Sequence, residues 1–331
     1  MLVIGAEFDG SPVEIANMKK NSLIFFNIYG YTIRIESSDY DLSKLKMSED
    51  FRYFQCEKSA DSRLQVQISQ VTTIAKSDFK GFKIGRTEMC EVRQVSFSTR
   101  QLIYRCQNET LAVVSDRAKK IRYIEVKTLN CEILEDVLYF LINSCVGEHM
   151  DSNGLMRIHA VSFKKSDKIG LIYGSQGSGK STLALSLLAL DVVQLYSDEV
   201  SVFDIKNKTL HPYPIRIASL DLPADKPSLS KFNYFFNKKK LVAIPPAKIA
   251  LSGALTHLYS LNQAKSSVGP SLIVGIGLIQ MWEYLLRFNN LPTLVKIFVN
   301  RIQMIFLLAR YPFIRISRNS SLSAKIELIT R

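Results

Sequence analysis

Apolar and polar positions alternate through much of the first third of the chain. SLIFFNIYGYTIRIES, RLQVQISQV, VRQVSFS and RQLIYRC are β-branched or aromatic runs divided by polar and charged breaks, the pattern of strands with one buried face. A β-rich N-terminal domain over residues 1–130 follows. The period then changes. In CEILEDVLYFLINSC, Ile133, Leu134, Val137, Leu138, Leu141 and Ile142 recur at helical spacing. This helix and the polar HMDSNG after it form a connector, 131–153, to a second domain over 154–331. LMRIHAVSF and IGLIYG read as two strands about a KKSDK turn, and the segment opened by Lys180 continues as a helix through Leu183, Leu185, Leu187 and Leu188. VVQLYSDEVSVFD reads as a hairpin or a strand with a turn, and TLHPYPIRIASLDLP as a loop broken by prolines.

Helical patterns are expected at 248–261, 272–288 and 294–310, ahead of a strand-like FIRISR. In the last helix Lys296, Asn300 and Gln303 make a narrow polar stripe, whereas Ile297, Phe298, Ile302, Ile305, Phe306 and Leu308 make a wide apolar one. That pattern suits packing within the domain or in a homo-oligomer. The flanking basic residues make a membrane-surface role the alternative.

Composition narrows the classes. A chain of 331 residues with 47% apolar and 22% charged residues is globular and long enough for about two domains. The longest apolar stretch, Pro270 to Leu286, is interrupted by Gln280 and Glu283, so no transmembrane segment is expected. The N-terminal apolar run is short and meets Glu7 and Asp9, unlike a signal peptide, which predicts a cytoplasmic protein. Five cysteines without a CxxC pair predict reduced, structural thiols. The formal charge of +13 suits anionic partners, but no zinc-finger spacing or aromatic RNA-binding motif accompanies it, so nucleic acid is not expected among them.

Candidate chemistry lies in GLIYGSQGSGKSTLALSLLAL, residues 170–190. Gly174, Ser175, Gln176, Gly177, Ser178, Gly179, Lys180 and Ser181 complete the pattern GxxxxGK[ST], with Thr182 next, between a strand-like and a helical run. Glycines let successive backbone N–H groups converge on a phosphate, and the start of the following helix adds unpaired donors and partial positive charge. Lys180 supplies a full charge for the β- and γ-phosphates, and Ser181 a hydroxyl for Mg²⁺.

The loop does not name a reaction, but the next acids discriminate. Asp198 and Glu199 follow Lys180 at a distance that leaves room for one short helix, a turn and one strand. In an ABC-type ATPase the acid pair lies a subdomain further on and is preceded by an LSGGQ-like segment. Here LSGA, at Leu251 to Ala254, follows the acids. Arg216, in PYPIRIAS, is a candidate for steadying a transferring phosphate.

The ordered set RIHAVSF, glycine loop, SDE and LHPYPIRIASL, over residues 154–222, resembles the kinase core of the HPr serine kinase/phosphorylase family. It most resembles the divergent HPr-kinase-like proteins of peptide-modification systems. The resemblance implies an α/β fold, with a P-loop core of the HPr kinase/phosphoenolpyruvate carboxykinase type, a β-rich N-terminal domain and a helical C-terminal region. It implies transfer of the ATP γ-phosphate, with Mg²⁺, to a serine hydroxyl of a peptide or small protein. By position, His159 would sit beside the reacting phosphate, and Asp198 and Glu199 would supply the base and, with Ser181, the metal contacts. The family proper has two aspartates where this chain has Asp198-Glu199. A small-metabolite kinase and a nucleotide-responsive binding protein without transfer activity are the competing readings. Metabolite kinases close an arginine-bearing lid over the nucleotide, and no such arginine cluster separates the acid pair from the C-terminal helices.

Overall fold

The computed structural model describes residues 23–45, 47–57, 61–86, 90–106, 108–117, 121–129, 131–174, 177–215, 217–219, 230–231, 240–262, 291–317 and 319–330. The fold is mixed α/β and strand-rich, with several separate sheets. SLIFFNIYGYTIRIES forms a hairpin of β1 (Leu23–Ile28) and β2 (Tyr31–Ser37). Its two turn residues, Tyr29 and Gly30, both have positive φ, as a two-residue hairpin turn requires. With β3 (Leu64–Gln70), β4 (Phe82–Arg86), β5 (Cys90–Ser96), β6 (Thr99–Cys106), β7 (Asn108–Arg117) and β8 (Ile121–Thr128), the hairpin builds an eight-stranded sheet of order β1-β2-β3-β8-β7-β6-β5-β4. The pairs β2–β3 and β3–β8 are parallel and the rest antiparallel.

Period-2 alternation puts Ile33, Ile35, Leu64, Val66, Ile68, Ile124 and Val126 into one core. Between β2 and β3, the short helix α1 (Met47–Asp50) adds Met47 to it. Helix α2 (Cys131–Ser152) covers this core with Leu134, Val137, Leu138, Leu141, Ile142 and Val146. The predicted connector is thus packed onto the N-terminal sheet and runs a further two turns through HMDS. Asp151, read from sequence as part of a polar linker, is fully buried in the last turn of α2.

The second half contains β9 (Leu155–Ile158), β10 (Ala160–Lys165), β11 (Lys168–Gly174), α3 (Lys180–Leu188), β12 (Gln194–Ser197), β13 (Ser201–Asp204) and β14 (Thr209–His211). After these come β15 (Ile217–Ser219), β16 (Ser230–Lys231), β17 (Lys240–Val242), β18 (Gly253–Ala254), β19 (His257–Asn262), α4 (Leu291–Leu308), β20 (Phe313–Ser317) and α5 (Leu322–Thr330). A five-stranded sheet has the order β12-β10-β11-β19-β20, a four-stranded sheet β18-β14-β13-β9, and a three-stranded sheet β15-β17-β16. The KKSDK turn joins β10 to β11 through Ser166, at φ 51°. Helix α3 lays Leu183, Ala184, Leu187 and Leu188 against Val161, Phe163, Ile172 and Leu195 of the five-stranded sheet.

Several sequence expectations need correction. LMRIHAVSF is two strands, β9 and β10, which belong to different sheets and meet at a bend on His159. VVQLYSDEVSVFD is likewise β12 and β13 in different sheets, not a hairpin. The helix expected at 248–261 does not form; β18 and β19 occupy that segment. Strand β19 lies between parallel β11 and β20 with Leu258, Tyr259, Ser260 and Leu261 all buried. A strand covered on both faces loses the alternation that distinguishes it from a helix. The pattern at 272–288 lies outside the described residues. Within the strand-like FIRISR, Phe313–Ser317 form β20, as expected.

Helix α4 is present and buries Ile297 and Leu308 as expected, but it is rotated so that part of the expected apolar stripe faces outward. Its buried positions are Leu294, Ile297, Arg301, Met304 and Leu308, while Phe298, Ile302 and Phe306 are exposed. The buried arginine explains the rotation, because Arg301 donates to Asp151 at 2.8 Å and Asn300 donates to the Asp151 carbonyl. Among the described residues α4 is the one helix long and apolar enough, by length and composition, to cross a membrane.

Candidate functional site

Two chain segments turn together from one sheet into another, and the predicted residues sit on that turn. Strand β12 pairs with β10 through Ser197 and Ser162, and β13 pairs with β9 through Ser201 and Ile158, in one continuous register. Asp198, Glu199 and Val200 lie between these two pairings on one segment, and His159, Ala160 and Val161 lie between them on the other. Ser201 pins the corner, its hydroxyl donating to the Ala160 carbonyl and hydrogen-bonded to the Ser162 hydroxyl, each at 2.8 Å. The Val200 amide donates to Ser197 Oγ at 3.2 Å.

On the other side of β10, Ala160 pairs with Tyr173 of β11, so His159 and Gly174 are the next positions on neighbouring strands. Strands β11 and β12 both run antiparallel to β10, and therefore end on the same side of the sheet. One carries the glycine loop there, the other Asp198 and Glu199. The topology thus gathers the loop, the acids and His159 at one sheet end. Asp198 is buried; Glu199 and His159 are half-buried.

The described part of the loop has the geometry of an anion cradle. Gly177 and Gly179 have φ of 73° and 91°, angles that side chains disfavour, and a β-carbon on either would meet nothing within 4 Å, leaving room above the loop. At Gly174 the constraint is space: a β-carbon would stand 2.6 Å from Ser178 Oγ and 2.7 Å from the Leu261 carbonyl. Ser178 Oγ is buried and has no hydrogen-bond partner among the described residues, a donor waiting for an acceptor. Gly179 caps α3, whose first N–H groups have no intrahelical acceptor and carry partial positive charge. Lys180 is buried, its Nζ donating to the Gly174 carbonyl at 2.8 Å, which folds the ammonium back over the loop. Ser181 is half-buried and Thr182 exposed on the first turn. Ser175, Gln176 and Arg216 lie outside the described residues.

This donor set suits a polyphosphate. Ser181 and the Asp198–Glu199 pair are oxygen ligands of the kind Mg²⁺ takes, and such an ion completes its shell with phosphate oxygens and water. Among the described residues no three His, Cys, Asp or Glu side chains gather to hold a metal unaided. Two tyrosines adjoin the corner, but burial pushes Tyr173 and Tyr196 up to about 12. Both therefore stay protonated at neutral pH and do not act as bases there.

Sequence reasoning missed the supports of this corner. Arg157, two residues before His159, donates to Asp151 Oδ2 at 3.2 Å and to the Asn143 carbonyl at 3.2 Å. Asn143 Oδ1 accepts from Tyr213 at 2.9 Å, and Tyr29 donates to the Pro212 carbonyl. The proline-rich loop is thereby tied to α2 and to the β1–β2 turn. The available signal was Asp151 itself, since an acid in the last turn of a helix opposes the macrodipole unless cations offset it. The cysteines whose side chains are described, Cys56, Cys90 and Cys145, are reduced thiols, as expected.

A separate open cavity of about 850 Å³ lies at the end of the eight-stranded sheet, lined by Tyr31, Arg63, Arg122, Glu148 and His149 among others. None of the predicted residues lines it, and its Arg122 is already paired with Asp116 and Glu148 at 2.7 Å each. The glycine-loop corner is the better candidate because it sets the unpartnered Ser178 hydroxyl beside the N-terminus of α3 and Lys180. No protein-family model matches the chain, and no curated protein matches it.

Proposed function

We propose that this protein is a kinase with a P-loop core of the HPr kinase type, which transfers the ATP γ-phosphate to a serine hydroxyl of a peptide or small protein. The observation that carries the reading is the shared sheet end of the glycine loop and the Asp198–Glu199 pair. Phosphoryl transfer needs charge neutralisation, alignment and an acceptor for the hydroxyl proton, and little covalent help from the enzyme. Lys180 would bind the β- and γ-phosphates, and the loop amides with Ser178 would orient them. Asp198 or Glu199 would take the serine proton, and His159, in register with Gly174, would lie beside the moving phosphate. Mg²⁺, held by Ser181 and the acid pair, would supply further neutralisation of phosphate charge.

The resemblance of residues 154–222 to HPr-kinase-like proteins supports the same chemistry. A peptide or small protein suits the large N-terminal sheet and the net charge better than a small metabolite does. The test is incubation with γ-labelled ATP, Mg²⁺ and, in parallel, a peptide library and a metabolite panel, with mass spectrometry to locate the phosphate. Phosphoserine on a peptide is expected. Phosphate on a metabolite alone would replace the acceptor class, and no transfer to any acceptor would overturn the kinase reading.

A further inference from the structure

We propose that the outer face of α4 docks on the surface of an anionic lipid bilayer. At 3.6 residues per turn, Leu291, Val295, Phe298, Val299, Ile302 and Phe306 fall on one stripe roughly 100° wide. All six are between 40% and 70% exposed. Scattered exposed apolar residues are ordinary, but a continuous stripe along about four turns marks an interaction surface.

The helix cannot hide this stripe by rotating. Its opposite face is fixed by Arg301 and Asn300 on Asp151, and by Leu294, Ile297, Met304 and Leu308 in the cores of both halves. The same anchors hold α4 lengthwise against the protein, so that it meets a bilayer side-on, as interfacial helices do.

Charge selects the occupant. Between Glu283 and Glu327 the sequence contains no acidic residue, and exposed Lys296 and Arg310 border the apolar stripe on one side. Apolar side chains edged by lysine and arginine suit the boundary between acyl chains and anionic headgroups. A second copy of a +13 chain would bring the same basic, acid-free segment against this one, opposing self-association.

The experiment is co-sedimentation of the full chain with vesicles of phosphatidylcholine alone or mixed with phosphatidylglycerol, at low and high salt. Binding to the mixed vesicles, weakened by salt, is expected. Phe298→Ser with Phe306→Ser should weaken it ~10-fold or more, since each change removes a buried aromatic ring from the acyl boundary, while leaving the melting temperature unchanged. Lys296→Glu with Arg310→Glu should abolish the preference for anionic vesicles. Failure of the full chain to bind the mixed vesicles would overturn the proposal. So would binding that the two serine substitutions leave intact, or a dimer in solution that those substitutions dissolve.

Discussion

The guanidinium of Arg157 stands where a β-carbon on Gly147 would have to be: that carbon would lie 1.8 Å from Arg157 Cζ. Glycine on α2 therefore lets Arg157 pass beneath the helix to reach Asp151, which also accepts from Arg301 of α4. Three elements converge on one buried carboxylate, and β9 leads from it directly to His159.

Gly147→Ala should accordingly lower stability by at least ~2 kcal/mol, through overpacking and displacement of a buried cation. Asp151→Asn should cost about 3 kcal/mol, because it leaves two buried guanidinium groups undercompensated. Urea denaturation of both variants checks this. Wild-type midpoints would show that the triad contributes little.

Lys180→Ala should leave the melting temperature close to wild type while lowering phosphoryl transfer by ~100-fold or more, the usual cost of removing one preorganised donor from developing charge. Lys180 donates to the Gly174 carbonyl of its own loop, so the loss should be chemical and not structural. Turnover at the wild-type rate would remove the kinase reading.

Asp198→Asn combined with Glu199→Gln preserves side-chain size and removes both carboxylates. Nucleotide binding measured by calorimetry should survive with weaker dependence on Mg²⁺, and transfer should be lost. Transfer within a few-fold of wild type would make the pair structural and point to another base. His159→Ala should reduce transfer more than acceptor binding.

Acid should destabilise the fold before the carboxylates titrate. Burial lowers the pKa of His149 below the usual 6.5, helped by Arg63, and burial lowers that of His211 despite the opposing Asp204. Below that value the unfolded chain binds more protons than the native one. The stability these groups contribute is complete above about 6.5 and declines as pH falls toward their native values. Asp204 acts in a lower window. Although burial opposes it, hydrogen bonds from Asn207 and Lys206 bring its carboxyl below 3.8, so its contribution fades only beneath that. Melting temperatures measured between about pH 7.5 and 5.5 should fall, and fall less in the His149→Gln, His211→Gln variant.

Local sequence determined those features that local physics controls. The alternation at Ile33, Ile35, Leu64 and Val66 defines half-buried strands, and the spacing in CEILEDVLYFLIN defines α2, whatever surrounds them. The glycine pattern, with Lys180 after it, specifies a strand, a loop of positive φ and a helix N-terminus, because few other residues tolerate those angles. Elsewhere the outcome rests on contacts between residues far apart in sequence. Strand β19 lost its alternation because both of its faces are buried, Tyr259 and Leu261 in one core and Leu258 in another. Helix α4 turned its phenylalanines outward because Arg301 had a partner 150 positions away in Asp151. The bends at His159 and Asp198, which bring the candidate site together, arise because two strands leave one sheet and enter another in a shared register. That register is a property of the pair, and neither segment carries it alone.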